Sequence, residues 1–292
     1  MSRAVSIHIG VDRPHGGHVP LQSSENNAWR MACLANQAGY ESLLVLRGRA
    51  ATRQAVHDVL TRVAGVLTAG TQLFLTFSGH GCERHDHDAD ERSRKDQGWC
   101  LADGEIVDDK LAGYWRLFEP GVRILVVSES CYSGGVIRED DKDKRRAHPR
   151  PPAQTVYRGQ PGPGGTARSA PAAEYTASCI GEPPRGNDGI RASLLLLSAS
   201  CADQPAQEGL FARHLLATWN EGAFRGTYCD LHRQVRDRVM SERSSQDPQI
   251  LMIGAADPGF PLETAFHLAP PSTTPPVAYR ANGNPRKDVL HW

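Results

Sequence analysis

The sequence predicts an α/β fold built on a mainly parallel sheet of about six strands with helices on both faces. Two observations carry this. Apolar runs of strand length recur at 4–11 (AVSIHIGV), 42–47 (SLLVLR), 71–77 (TQLFLTF), 122–128 (VRILVVS), 193–198 (SLLLLS) and 249–253 (QILMI). Between them, at about 26–38, 51–68, 109–118, 208–222 and 227–243, apolar residues fall near helical spacing. Strands alternating with helices imply parallel pairing through crossover helices, which covers both faces of the sheet and lets its strands be apolar throughout. In such sheets functional groups gather at the carboxyl ends of the strands.

Two segments break the alternation. Residues 138–191 pass from a mixed-charge block, REDDKDKRRAHPR, into GQPGPGGTARSAPAA, and carry too little apolar surface to form a core of their own. The tail 269–292 opens with APPSTTPP and is likewise proline-rich. At 292 residues the chain is long enough for one large domain, here read as 1–268.

Global composition narrows the function classes. Lys+Arg and Asp+Glu both number 33, so the net charge is zero, and nothing in the balance points to nucleic acid or an anionic membrane surface. No apolar run is long enough to cross a bilayer, and MSRAVSIHIGVD enters a strand without the regions of a signal peptide, so a cytoplasmic protein is expected. The seven cysteines are odd in number and lack C-x-x-C pairing, which argues against a disulfide framework or a structural zinc site. No G-x-G-x-x-G or G-x-x-x-x-G-K-[ST] follows the first strand, so nucleotide binding has no motif to rest on.

Chemistry is concentrated at two strand ends. The run at 71–77 leads into FSGHGCE and the run at 122–128 into SESCYSGG. If these strands are neighbours, His80 and Cys131 sit side by side, as a cysteine nucleophile and its imidazole partner must. The amides of Gly81 and Cys131 are then placed to receive the oxyanion of a tetrahedral intermediate.

The order and the spacing of about 50 residues from histidine to cysteine are those of caspases. With FSGHG, ESCYSGG, ENNAWRMACLANQAGY as a first helix, AATRQAVHDVL as a second, the acidic stretch DHDADERSRKDQGWCLADGEIVDDKL and LLSASCADQPAQEGLFARHLL, the chain resembles the caspase-like cysteine peptidases (family C14, clan CD), in their bacterial metacaspase-type branch. The resemblance implies the caspase-hemoglobinase three-layer fold, with 1–137 as a large-subunit-like half, 138–191 as a linker and 192–268 as a small-subunit-like half. It implies His80 and Cys131 as a catalytic dyad and a protein substrate, with no organic cofactor. In this family the residue two before the cysteine lies on the floor of the S1 pocket. Here it is Glu129, and a carboxylate beneath a dry pocket selects Arg or Lys at P1.

Ser78 matches a pocket-lining position of metacaspases, and Asp203 in SCADQ is a further candidate wall. The metacaspase pattern Asn-Asp-Ala in the first helix is here Asn26-Asn27-Ala28, so Asn27 can accept a hydrogen bond from the substrate's basic side chain but adds no charge. Many metacaspases bind calcium, and Asp96, Asp108 and Asp109 match those positions approximately, as hard oxygen ligands for Ca²⁺. A solvated acidic loop, or an Asp N-cap at 108–109, explains the same residues. Cys82, His85 and His87 form an alternative zinc set.

The linker carries Lys144, Arg145, Arg146, Arg150, Arg158 and Arg168, so an enzyme preferring basic P1 residues meets cleavable bonds in its own chain. Zymogen-like processing there, by itself or by an upstream protease or sensor, is expected, with a tolerated surface loop as the alternative. Family analogy suggests a stress, cell-death or antiphage defence role, and a monomer. The competing class is a catalytically silent scaffold or interaction module on the same fold.

Overall fold

The computed structural model describes residues 4–85, 95–131, 189–201, 204–255 and 257–268. Strands β1 (Ala4–Gly10), β2 (Ser42–Arg47), β3 (Gln72–Ser78), β7 (Arg123–Glu129), β8 (Ser193–Ser198) and β9 (Gln249–Gly254) form a six-stranded sheet in the order β2-β1-β3-β7-β8-β9. All neighbours are parallel except β8 and β9. The helices are α1 (Ser24–Gln37), α2 (Arg53–Ala64), α3 (Asp108–Trp115), α4 (Leu210–Trp219) and α5 (Tyr228–Glu242).

Successive side chains of a strand point to opposite faces, so each apolar strand feeds two cores. Leu73, Leu75, Ile124, Val126, Leu194 and Leu196 belong to the core covered by α2 and α3. Phe74, Leu125, Val127, Leu195 and Leu197 belong to the core covered by α1, α4 and α5. This is why the runs read as continuously apolar rather than alternating. The same parity places Ser78 and Glu129, in register at the ends of β3 and β7, on the α1/α4 face.

Between β3 and α3 lies an element the apolar pattern did not predict, a three-stranded antiparallel sheet of β4 (Gly81–His85), β5 (Lys95–Leu101) and β6 (Gly104–Val107). It hangs from the carboxyl end of the main sheet. The buried Trp99 ring stacks on Phe77 at 4.7 Å, its indole N–H donates to Ser128 Oγ at 3.0 Å, and the Cys100 amide donates to the His80 carbonyl.

Helix boundaries shift from expectation by up to four residues, as where the helix expected at 51–68 spans Arg53–Ala64, and two shifts bear on the site. The third helix ends at Trp115 and its N-cap is Val107, so Asp108 and Asp109 occupy its first turn rather than its cap, where carboxylates favour the helix dipole. The helix expected from 208 starts at Leu210, because Gly209 stands at φ +70°, in the left-handed region that glycine adopts without penalty. No helix among the described residues is long and apolar enough to cross a membrane.

Candidate active site

β3 and β7 are neighbours, and the chain leaving them delivers His80 and Cys131 to one pocket, which Ser78, Glu129, Ala206 and Glu208 also line. Their approach demands glycine at 81. A Cβ built there would lie 2.0 Å from the Cys131 carbonyl oxygen and 3.4 Å from its nitrogen, so the backbones after the two strands are packed directly against each other. The backbone of Gly81 thus lies against that of Cys131, the two residues whose amides the sequence reading assigns to the oxyanion.

The floor of the pocket is Glu129, 5 % exposed. Its Oε2 accepts from Asn27 Nδ2 at 2.8 Å and from Ser78 Oγ at 3.1 Å, and its Oε1 accepts from the Ala212 amide at 2.9 Å. Ala212 is the third residue of α4, so this donor is one of the amides that a helix leaves without an internal partner. Burial pushes the Glu129 pKa up to about 7, and the hydrogen bonds from Ala212, Ser78 and Asn27 offset only part of that. None of these three partners among the described residues carries positive charge. Asn27 is therefore a donor to the carboxylate, where the sequence reading had it as an acceptor.

Both halves of the expected dyad are engaged by backbone. His80 Nε2 lies 2.7 Å from the Val19 carbonyl, which can only accept, so Nε2 carries the proton. The Ala206 amide donates to Cys131 Sγ at 3.4 Å, and the thiol lies 3.7 Å from the Ala206 carbonyl. The two covering segments are tied together by Glu208, whose Oε1 accepts from the Gln22 amide (2.6 Å), the Ser23 amide (2.6 Å) and Ser23 Oγ (2.8 Å). Val19, Ala206 and Glu208 were not found from sequence, because two of them act through main-chain groups that no residue type reveals.

Of the remaining expected residues, Asp203, Arg145, Arg146, Arg150 and His87 lie outside the described residues, as do the side chains of His85 and Asp96. Asp108 is buried and its Oδ1 accepts the Asp109 amide within the first turn of α3. Among the described residues, neither falls in a cluster of three or more His, Cys, Asp or Glu side chains. The side chains that do converge are His18, Cys100 and Glu105.

Comparison with known proteins agrees with the geometry. Residues 3–139 match the family model for the metacaspase, peptidase C14 domain. Metacaspase-1A of Neurospora crassa is 34% identical over 119 residues, covering 36% of this chain and 26% of its own length. Metacaspase-7 of Arabidopsis thaliana is 29% identical over 147 residues, covering 46% of this chain and 36% of its own. The chain thus spans about a quarter to a third of these curated relatives. Among solved structures, protein GSU0716 from Geobacter sulfurreducens superposes with a TM-score of 0.66 at 27% identity, covering 90% of this chain and 98% of that one. The strand order and the paired strand ends agree with this match, so residues 3–139 are similar to the metacaspase, peptidase C14 domain.

Proposed function

We propose that the chain is a cysteine endopeptidase that cleaves proteins after Arg or Lys. The observation that carries this is a pocket lined by His80, Cys131 and a buried carboxyl, Glu129, with no cationic partner among the described residues. A buried carboxylate without a counter-charge is costly, and an arginine or lysine side chain of the substrate supplies the missing charge on binding. Ser78 and Asn27 orient the Glu129 carboxyl through their hydrogen bonds. Asp203, which lies outside the described residues, stays a candidate wall from the sequence alone.

In the reaction the Cys131 thiol passes its proton to His80 and the thiolate attacks the scissile carbonyl carbon, while the Gly81 and Cys131 amides donate to the resulting oxyanion. As the C–N bond breaks, His80 gives its proton to the leaving amine, and water then hydrolyses the thioester, releasing the new carboxylate and restoring the thiol.

Productive binding requires the Val19 carbonyl to leave His80 and the Ala206 segment to leave the thiol. The resting arrangement is latent, which supports zymogen-like activation by cleavage within 138–191, for which Arg145, Arg146 and Arg150 are the proposed sites. The same contacts favour a second reading, a silent scaffold in which the dyad stays covered.

Paired fluorogenic peptides with Arg, Lys or Asp at P1 test these readings on wild type and Cys131→Ala. Cleavage of the Arg and Lys peptides by wild type alone is expected. Cleavage of the Asp peptide only would sink the role of Glu129. Absence of cleavage, even after proteolytic nicking of 138–191, would favour the scaffold.

A further inference from the structure

Cys100 and Glu105 face each other across the β5/β6 ladder, so the backbone itself holds a thiol and a carboxylate as a cross-strand pair. His18, from the loop between β1 and α1, brings its Nε2 to 4.0 Å from Cys100 Sγ. One ligand atom from each of the three lies within 4.8 Å of the others. Cys100 is buried, while His18 and Glu105 are only half-buried, which leaves a path from solvent. A tetrahedral zinc ion with bonds of about 2.0–2.3 Å needs donors about 3.2–3.7 Å apart. The remaining closure is small, and Gly16 and Gly17 (φ +96° and +72°), immediately before His18, are the hinge that allows it.

We propose that His18, Cys100 and Glu105 bind one divalent cation of the Zn²⁺ class, and that the ion pins the His18–Val19 loop over His80. A nitrogen, a sulfur and a carboxylate oxygen form a mixed set that suits zinc and disfavours calcium or magnesium, which take oxygen. On binding, the Cys100 thiol releases its proton to solvent and the thiolate coordinates the metal; the fourth position is left to water. The consequence for the active site is direct. The His18 ring stacks on His80 with centroids 5.1 Å apart, the next residue, Val19, holds His80 Nε2, and the Cys100 amide is bonded to the His80 carbonyl. Fixing His18 to the β5/β6 ladder therefore fixes the carbonyl that occupies the imidazole.

The ion site stands on its own geometry, and its effect on turnover rests on the peptidase reading. The test uses the 292-residue chain carrying Cys131→Ala, so that the active-site thiol cannot be a ligand. After chelator treatment, calorimetric titration with zinc chloride is expected to give one site per chain. His18→Ala and Glu105→Gln, both at half-buried positions, are each expected to weaken it about 100-fold or more, beyond the 10–100-fold that losing a mere supporting group costs. Cobalt(II) is expected to give a thiolate charge-transfer band that disappears in Cys100→Ala, with circular dichroism confirming that this variant is folded. Zinc is expected to slow amide hydrogen exchange across 15–21.

Absence of stoichiometric binding overturns the proposal. So does binding that survives His18→Ala but is lost in Cys82→Ala, since the ion would then sit on β4. Binding without slowed exchange overturns the pinning of the loop. None of these readouts depends on cleavage, so failure of the peptidase reading is seen separately, in the peptide assay.

Discussion

Two carboxyl groups line the same pocket and are held in opposite states. Glu129, on the floor at the end of β7, is pushed up to about 7 by burial. Glu208, on the rim and largely exposed, also feels some desolvation, yet the Gln22 amide and the Ser23 hydroxyl and amide hold it below the usual carboxylate range. Each accepts three hydrogen bonds, so the number of donors does not decide the outcome. What differs is solvent: water reaches Glu208 and stabilises its charge, whereas Glu129 has only protein dipoles. On the proposed basic-P1 reading the floor receives a cation, while the rim holds two loop segments together.

Removing the floor charge is the most severe test of that contrast. Glu129→Gln is expected to lower kcat/KM for an Arg peptide by about 100-fold, within the ~2–5 kcal/mol lost when one partner of a buried charge pair is removed. An unchanged Arg preference would break the assignment of floor and rim.

The pH dependence of stability gives the next effect. Between 4.5, the ordinary value, and about 7, the unfolded chain has released the Glu129 proton while the folded chain still holds it. The protonated carboxyl therefore contributes fully below pH 4.5, and about 3 kcal/mol is lost as pH rises to about 7. Denaturant unfolding of wild type and Glu129→Gln at pH 5 and pH 8 isolates this contribution from the other titrating groups. The gap between the two proteins should change with pH in that direction, and a constant gap would contradict it.

Asn27→Asp sharpens the contrast from the other side. It sets a second carboxyl where an amide now lies 2.8 Å from Glu129. Two carboxylates at that distance cannot both ionise, so the ascending limb of the pH profile for an Arg peptide should move up by about a unit or more. A profile that stays in place would mean that the two groups do not share the pocket.

The smallest effect is expected on the rim. Glu208→Gln keeps an acceptor for the Gln22 and Ser23 donors but loses the charge, and at this exposed site the cost should be about 1 kcal/mol or less in the same unfolding experiment. A loss as large as that from changing the floor would show that the rim is not the weakly held part.

The floor was legible in the sequence and the rim was not. The strand bearing Glu129 announces itself as an apolar run, its parity fixes the face, and the SES-Cys motif fixes the residue two before the thiol. Val19 and Ala206 act through main-chain carbonyl and amide groups, which every residue possesses, so composition gives no signal for them. The β4–β6 sheet was missed for a related reason. Residues such as GCERH and KDQGWCL lack a strand's apolar alternation, and their anchoring depends on Trp99 meeting Phe77 and Ser128 across the fold. The His18, Cys100 and Glu105 cluster joins residues about 80 positions apart, a proximity that only the folded chain reveals.

The close packing of Gly81 on the Cys131 carbonyl sets a mechanical tolerance. The two halves of the active site are separated by less space than one methyl group occupies, so alanine at 81 would act as a wedge between histidine-bearing and cysteine-bearing chains. Both chemical groups would survive intact, but out of alignment, and the sheet beneath would have little reason to unfold. In a reaction that loses rate with misplacements of about 1 Å, this position would separate an enzyme that folds from one that works.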